Sequence, residues 1–164
     1  MSEPSISVNG REVRLDSAPP QRTLQEFIRS SAAQTGTTGA CGHGVCGACT
    51  VLLDGRPVRS CLILSTAVAG RSVVTVEGLD AVESRVAARL REAFLERNAF
   101  QCGYCTSGML VLAFWWLTAS ADDRRACRDV SSLLETNLCR CTGYEGLRRA
   151  ITAVHDELQC EQRD

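Results

Sequence analysis

Three cysteines crowded into nine residues, Cys41-x4-Cys46-x2-Cys49, and a fourth, Cys61, after eleven intervening residues, constrain this chain more than any other feature. A fold that serves them must curl one loop tightly and return a later segment beside it. Ten cysteines in 164 residues exceed what core packing needs, which leaves a disulfide framework or metal binding. The N-terminal stretch Met-Ser-Glu-Pro-Ser-Ile-Ser-Val has no basic region, apolar run or twin arginine. Nothing in it directs the chain to an oxidising compartment, so a cytoplasmic setting with reduced, metal-binding thiols is expected.

Three close thiols and one distant one form the plant-type spacing for a [2Fe–2S] cluster. Gly39, Gly42, Gly44 and Gly47 stand around and between them, where a backbone without Cβ can curl and aim N–H groups at sulfur. Such donors stabilise the extra negative charge of a reduced cluster. Cys61 is expected on the strand that returns after Asp54-Gly55, beside the loop. A structural zinc site also accepts four thiolates, although zinc sites usually show two Cys-x2–4-Cys pairs. His43 is read as shielding the cluster or meeting a neighbouring surface rather than as a ligand.

A second set follows: Cys102-x2-Cys105 and Cys139-x-Cys141, separated by 33 residues that read mostly as helix. Two helix-linked loops must meet to join them. Cys105 precedes a helix expected to begin near Ser107 or Gly108, where free amides and the macrodipole favour an anionic cluster. Arg140 adds positive charge between two thiols. A redox-active Cys-x2-Cys disulfide is the competing reading for Cys102 and Cys105. Cys127 and Cys160 lack partners at metal spacing and are read as structural.

The order of elements suggests an α+β fold. Residues 6–8 and 13–15 flank Asn9-Gly10, a hairpin turn pair. Thr23 with Glu26 makes a capping-box pattern, and Leu24, Phe27 and Ile28 give the helix behind it one apolar face. Strands are predicted over 50–53, 57–63 and 72–76, so strands crossed by one helix suggest a β-grasp layout. Beyond Gly78 the period becomes helical, with stripes at Val82, Val86, Leu90 and Phe94, at Val130, Leu134 and Leu138, and at Leu147, Ile151, Val154 and Leu158. With the apolar segment 109–117 these make about four helices, enough for a bundle. The boundary is expected near 77–82, giving domains 1–78 and 79–164. Residues 109–117 suit either bundle core or a face that docks a larger subunit.

A formal charge of −1 offers no electrostatic case for nucleic acid. Two oxidised clusters with their thiolates would bring it from −1 to about −5. The longest apolar run, 109–117, falls short of the roughly 20 residues needed to span a bilayer, so no membrane span is expected.

Ala40-Cys41-Gly42-His43-Gly44-Val45-Cys46-Gly47-Ala48-Cys49-Thr50-Val51 resembles the small iron–sulfur subunit of the xanthine oxidase family of molybdenum hydroxylases. The resemblance continues, in order, at Val74-Thr75-Val76-Glu77-Gly78-Leu79, at Ala99-Phe100-Gln101-Cys102-Gly103-Tyr104-Cys105 and at Asn137-Leu138-Cys139-Arg140-Cys141-Thr142-Gly143-Tyr144. Ser107 departs from a common proline and Ala40 from a common glycine. The resemblance implies a plant-ferredoxin-like domain, then a four-helix domain, holding two [2Fe–2S] clusters. It implies an electron-transfer role: electrons from a molybdenum–pterin cofactor pass by way of the Cys102/105/139/141 set and then the Cys41/46/49/61 set to FAD. By the same carry-over Gln101 hydrogen-bonds the molybdenum cofactor and Cys141 is the thiol nearest it. Without that carry-over, Gln101 reads as a buried amide capping a helix end. A chain of 164 residues has no room for the molybdenum and FAD domains. They belong to large and medium partner subunits, with a dimer of heterotrimers expected and substrate chemistry on the large one. A free-standing ferredoxin-like carrier and a structural zinc module are the alternatives.

Overall fold

The computed structural model describes residues 4–15 and 19–161, so the outermost ends of the two predicted domain ranges lie outside the described residues. Its sheet is built from two hairpins of the same kind. β1 (Ser5–Val8) turns into β2 (Arg11–Arg14), and β3 (Thr50–Leu53) turns into β4 (Arg56–Arg59). Both turns need positive φ at two successive residues, met by Asn9 (51°) and Gly10 (80°), and by Asp54 (46°) and Gly55 (78°). A short β5 (Ser72–Val74) joins the hairpins in the order β2-β1-β5-β3-β4, parallel to β1 and antiparallel to β3. The Asn9 side chain ties the first turn to the end of β5, donating to Thr75 Oγ1 (2.9 Å) and accepting from Thr75 N (2.9 Å).

α1 (Leu24–Ser30) covers one face of this sheet. Thr23 accepts from the Glu26 amide while Glu26 accepts from the Thr23 amide, as the capping pattern predicts. Leu24, Phe27 and Ile28 meet Ile6, Val8, Val51, Leu53 and Val73 in a closed apolar core. The other face is covered by a helix from the second half of the chain.

That half consists of α2 (Leu79–Glu96), α3 (Thr106–Thr118), a short α4 (Val130–Leu134) and α5 (Glu145–Glu161). Val86, Leu90, Phe94, Leu147, Ile151 and Val154 pack together as the stripes predict. Two stripe residues do not. Val82 is 53% exposed because Glu83 breaks the helical geometry, and Leu138 is 55% exposed because α4 has already ended. Of the segment 109–117, Met109, Val111, Leu112, Ala113, Phe114 and Trp116 are buried, so the core reading holds for most of it, while Leu110, Trp115 and Leu117 are only partly covered.

α3 lies along β3, which is why all four residues of that strand are buried. Val51 and Leu53 point toward α1, and Leu52 points the other way into the helical core. The period of two is intact, but both faces are covered. The strand predicted over 57–63 stops at Arg59, and the one over 72–76 at Val74. Cys61 therefore sits in a tight 3-10 turn after β4 and not on the strand itself. Ser60 makes that bend: it is fully buried and its hydroxyl donates to the Cys49 carbonyl (2.7 Å).

Because Leu52 couples the sheet to the helical core, Leu52→Ala should cost about 2–5 kcal/mol of global stability. Urea unfolding followed by tryptophan fluorescence checks this, since both tryptophans, Trp115 and Trp116, lie on α3. A loss below about 1 kcal/mol would show that the strand is not packed on both faces.

Candidate metal centres

The first thiol set is assembled from one loop and one turn. Residues 31–49 link α1 to β3 and carry Cys41, Cys46 and, immediately before the strand, Cys49, and Cys61 follows β4 on the other side of the hairpin. Cys49 and Cys61 are buried, whereas Cys41 and Cys46 are partly exposed. The amides of His43 and Cys46 donate to Cys41 Sγ at 3.4 and 3.5 Å. This inward curl needs left-handed backbone at Gly42 (φ 67°), Gly44 (73°) and Gly47 (74°). The Cys46 and His43 amides hold the Cys41 thiol down at about 6. Burial and the neighbouring Cys49 thiol push Cys61 up to about 11, against the pull of the Gly44 amide. The His43 residue is exposed.

The second set is brought together by helix ends. Cys105 caps α3 at its N-terminus, Cys102 lies in the preceding loop, and Cys139 and Cys141 lie between α4 and α5. Cys141 and Cys102 have their sulfurs 3.6 Å apart. Cys105 and Cys139 form the other pair: burial and then the Cys139 thiol push Cys105 up to about 12. Burial acts to raise Cys139 too, but the Thr142 hydroxyl and amide and the Cys141 amide outweigh it and leave that thiol lowered. The Cys102 thiol raises Cys141. All four sulfur residues line a cavity of about 150 Å3, together with Cys46 of the first set, Leu138 and Arg140.

All ten cysteines are free thiols, and Cys102 stands beside Cys141 rather than Cys105. Thiols standing in pairs suit a binuclear centre, in which the four cysteines are shared between two irons. The donor set thus fits a [2Fe–2S] group at each place. Gln101 is exposed beside Cys102, not a buried amide capping a helix, and its side chain makes no hydrogen bond among the described residues. Cys127 is buried, with its carbonyl accepting from Trp116 Nε1 (2.7 Å), as a structural cysteine should be. Cys160 is exposed on α5, where nothing in the structure explains it.

The two loops are bonded to each other. Leu138 N donates to the Cys46 carbonyl (2.8 Å), and Asn137 Nδ2 donates to the Gly47 carbonyl (3.2 Å). On the other side Thr38 Oγ1 donates to the Tyr104 carbonyl (2.7 Å), and the Tyr104 hydroxyl donates to the Gly39 carbonyl. Tyr144 OH receives the Cys139 amide (2.8 Å) and donates to the Asn137 carbonyl (3.1 Å). Thr38, Asn137, Thr142 and Tyr144 carry no metal-ligand signal of their own. Thr38 is marked only by its nearness to the first set, whereas Asn137, Thr142 and Tyr144 fall within the last motif of the family resemblance.

Residues 6–73 match the family described as a 2Fe-2S iron-sulfur cluster binding domain, and residues 75–152 the family described as a [2Fe-2S] binding domain. The caffeine dehydrogenase gamma subunit of a Pseudomonas species is 42% identical over 153 residues, covering 92% of this chain and 89% of that one. A probable xanthine dehydrogenase subunit of Bacillus subtilis is 37% identical over 161 residues, covering 97% and 88%. The chain belongs to the small iron–sulfur subunits of the xanthine oxidase family of molybdenum hydroxylases. The crystal structure of quinoline 2-oxidoreductase from Pseudomonas putida 86 contains a chain that superposes on this subunit with a TM-score of 0.77 at 38% identity, covering 97% of this chain and 96% of that one. This small iron–sulfur subunit therefore has a ferredoxin-like first part and a helical second part, and serves electron transfer in an oxidoreductase. No described helix is long and apolar enough to cross a membrane.

In the metal-free, reduced subunit, Cys41 should alkylate with a rate that rises through a midpoint near pH 6, because a lowered pKa makes it thiolate at neutral pH. Cys61 and Cys105, raised to about 11 and about 12, should stay slow where Cys41 has reached its plateau. Peptide mapping by mass spectrometry reads each site. Equal rates at pH 7 would contradict the assigned environments.

Proposed function

We propose that this subunit holds two [2Fe–2S] clusters, one on Cys41, Cys46, Cys49 and Cys61 and one on Cys102, Cys105, Cys139 and Cys141. When bound, each such group takes up one electron and gives it up again. On this reading the chain carries electrons from a molybdenum–pterin cofactor on a large subunit, by way of the second set and then the first, to FAD on a medium subunit. The observation that carries the proposal is the contact of the two thiol loops. From the Cys46 thiol to the Cys139 thiol the route is covalent except for one hydrogen bond, Leu138 N–H to the Cys46 carbonyl. Tunnelling falls steeply with distance, so a chain that relays electrons must hold its donors in such proximity.

The residues around each set do the supporting chemistry. Amide donors on Cys41 and the Thr142 hydroxyl near Cys139 Sγ (3.1 Å) offset the negative charge that reduction adds. Cys102, Cys141 and Gln101 are exposed at one end, which suits a face turned to the cofactor of the large subunit. Exposed Val45, Leu62 and Leu64 accompany the first set, which suits the medium subunit. The sheet order with α1 across it supports the β-grasp reading, and α2 to α5 support the four-helix reading, with domains 1–78 and 79–164 meeting at Gly78. We place the assembly, a dimer of heterotrimers, in the cytoplasm.

Metal analysis, visible absorbance and EPR of the reduced protein test this directly. The intact subunit should hold about four irons and show two distinct EPR signals, and Cys139→Ser should bring the count to about two by losing the second signal. Zinc in place of iron, or a full iron count in the variant, would refute the assignment. Purification of the iron-loaded subunit alone, never with larger chains, would favour a free carrier instead.

A further inference from the structure

Asn137 is 1% exposed, and yet one of its side-chain atoms is wasted: Oδ1 is buried and has no hydrogen-bond partner. Leaving a buried acceptor unmet costs about 1–3 kcal/mol, which a leucine of the same branching would not incur. The amide cannot be turned to improve matters, because Oδ1 would then face the Gly47 carbonyl that Nδ2 now serves. Nor does that carbonyl need Asn137, since it already accepts from Thr50 N (3.1 Å) and Thr50 Oγ1 (2.6 Å). On stability alone this side chain is a poor choice.

Its position explains it. Gly47 lies between Cys46 and Cys49, and a Cβ there would fall 2.0 Å from Asn137 Oδ1, so the side chain lies flat against a backbone kept bare. The next residue, Leu138, donates to the Cys46 carbonyl, and Cys139 follows. Tyr144 OH holds the Asn137 carbonyl and the Cys139 amide from the far side. Asn137 and Tyr144 thus grip the three residues 137–139 from both sides. We propose that Asn137 is a positioning residue, which sets the Leu138–Cys46 hydrogen bond and through it the electronic contact between the two thiol sets.

The proposal rests on the two-cluster reading for its consequence but not for its geometry, and the test separates the two. In Asn137→Leu, melting temperature should be kept or raised, because an unmet acceptor is removed. The Leu138 amide should nevertheless exchange about tenfold faster, read by hydrogen exchange on the protein as isolated. In the same variant the spin–spin splitting between the two reduced centres should narrow. Leu134→Ala, which cuts a cavity in the same segment without touching Gly47, should lower the melting temperature and leave the splitting as it is. If Asn137→Leu does not fold, Asn137→Ala must show the same loss of amide protection and splitting. Unchanged protection at Leu138, or a splitting that simply follows stability across these variants, would overturn the proposal. Absence of two reduced centres in the unaltered protein would sink the relay reading and leave the exchange result to decide the positioning role by itself.

Discussion

The first turn of α3 lies so close on the loop between Cys46 and Cys49 that a Cβ at Gly108 would fall 2.3 Å from the Gly47 carbonyl oxygen and 3.0 Å from that of Ala48. Both obstacles are backbone, so no side-chain adjustment would relieve them. Glycine at position 108 lets the helix settle there. Much else follows from it. Cys105, at the N-terminus of the same helix, is carried to the first thiol loop, and the rest of α3 is laid along β3 so that Leu52 enters the helical core. The helix divides its apolar circumference among several neighbours at once, the sheet on one side and α2 and α4 on the others.

Where the chemistry is local, the sequence was legible. Asn9-Gly10, Asp54-Gly55 and the Thr23/Glu26 box act within a few residues of themselves, and each does in the fold what its residue types require. Periodicity carried the helical stripes too far in two places, because a period cannot announce where a helix breaks. Val82 and Leu138 continue their patterns on paper while Glu83 and the end of α4 interrupt the backbone. The overshoot of β4 has the same origin: residues 60–63 suit a strand by composition, and only the tertiary bond from Ser60 to Cys49 turns them aside.

Spacing marks Cys41, Cys46, Cys49 and Cys61 as one set, and the family resemblance supports the second, but neither tells how the two loops touch. Gly47 reads in the sequence as freedom for a curling loop. In the fold it is also a surface: the missing Cβ leaves room for Asn137, and its carbonyl oxygen lies against Gly108. Such a contact joins residues far apart in the chain and leaves no periodic trace. Thr38 and Tyr104 make the equivalent bond at the opposite edge, again between a residue near the first set and one inside the second. The subunit is thus a ferredoxin-like half and a helical half whose metal-binding loops share their hydrogen bonds, and whose sheet is covered on both faces.

In this fold the two thiol loops and the strand beneath them form one mechanical unit. Native-state hydrogen exchange of the iron-loaded protein tests it by comparing the amides of Val51 and Leu53 in the sheet with those of Leu112 and Phe114 on α3. One shared opening free energy, moving in step as denaturant is added, is the result predicted. A sheet that opens while α3 stays protected, or the reverse, would show two independent domains joined by proximity alone.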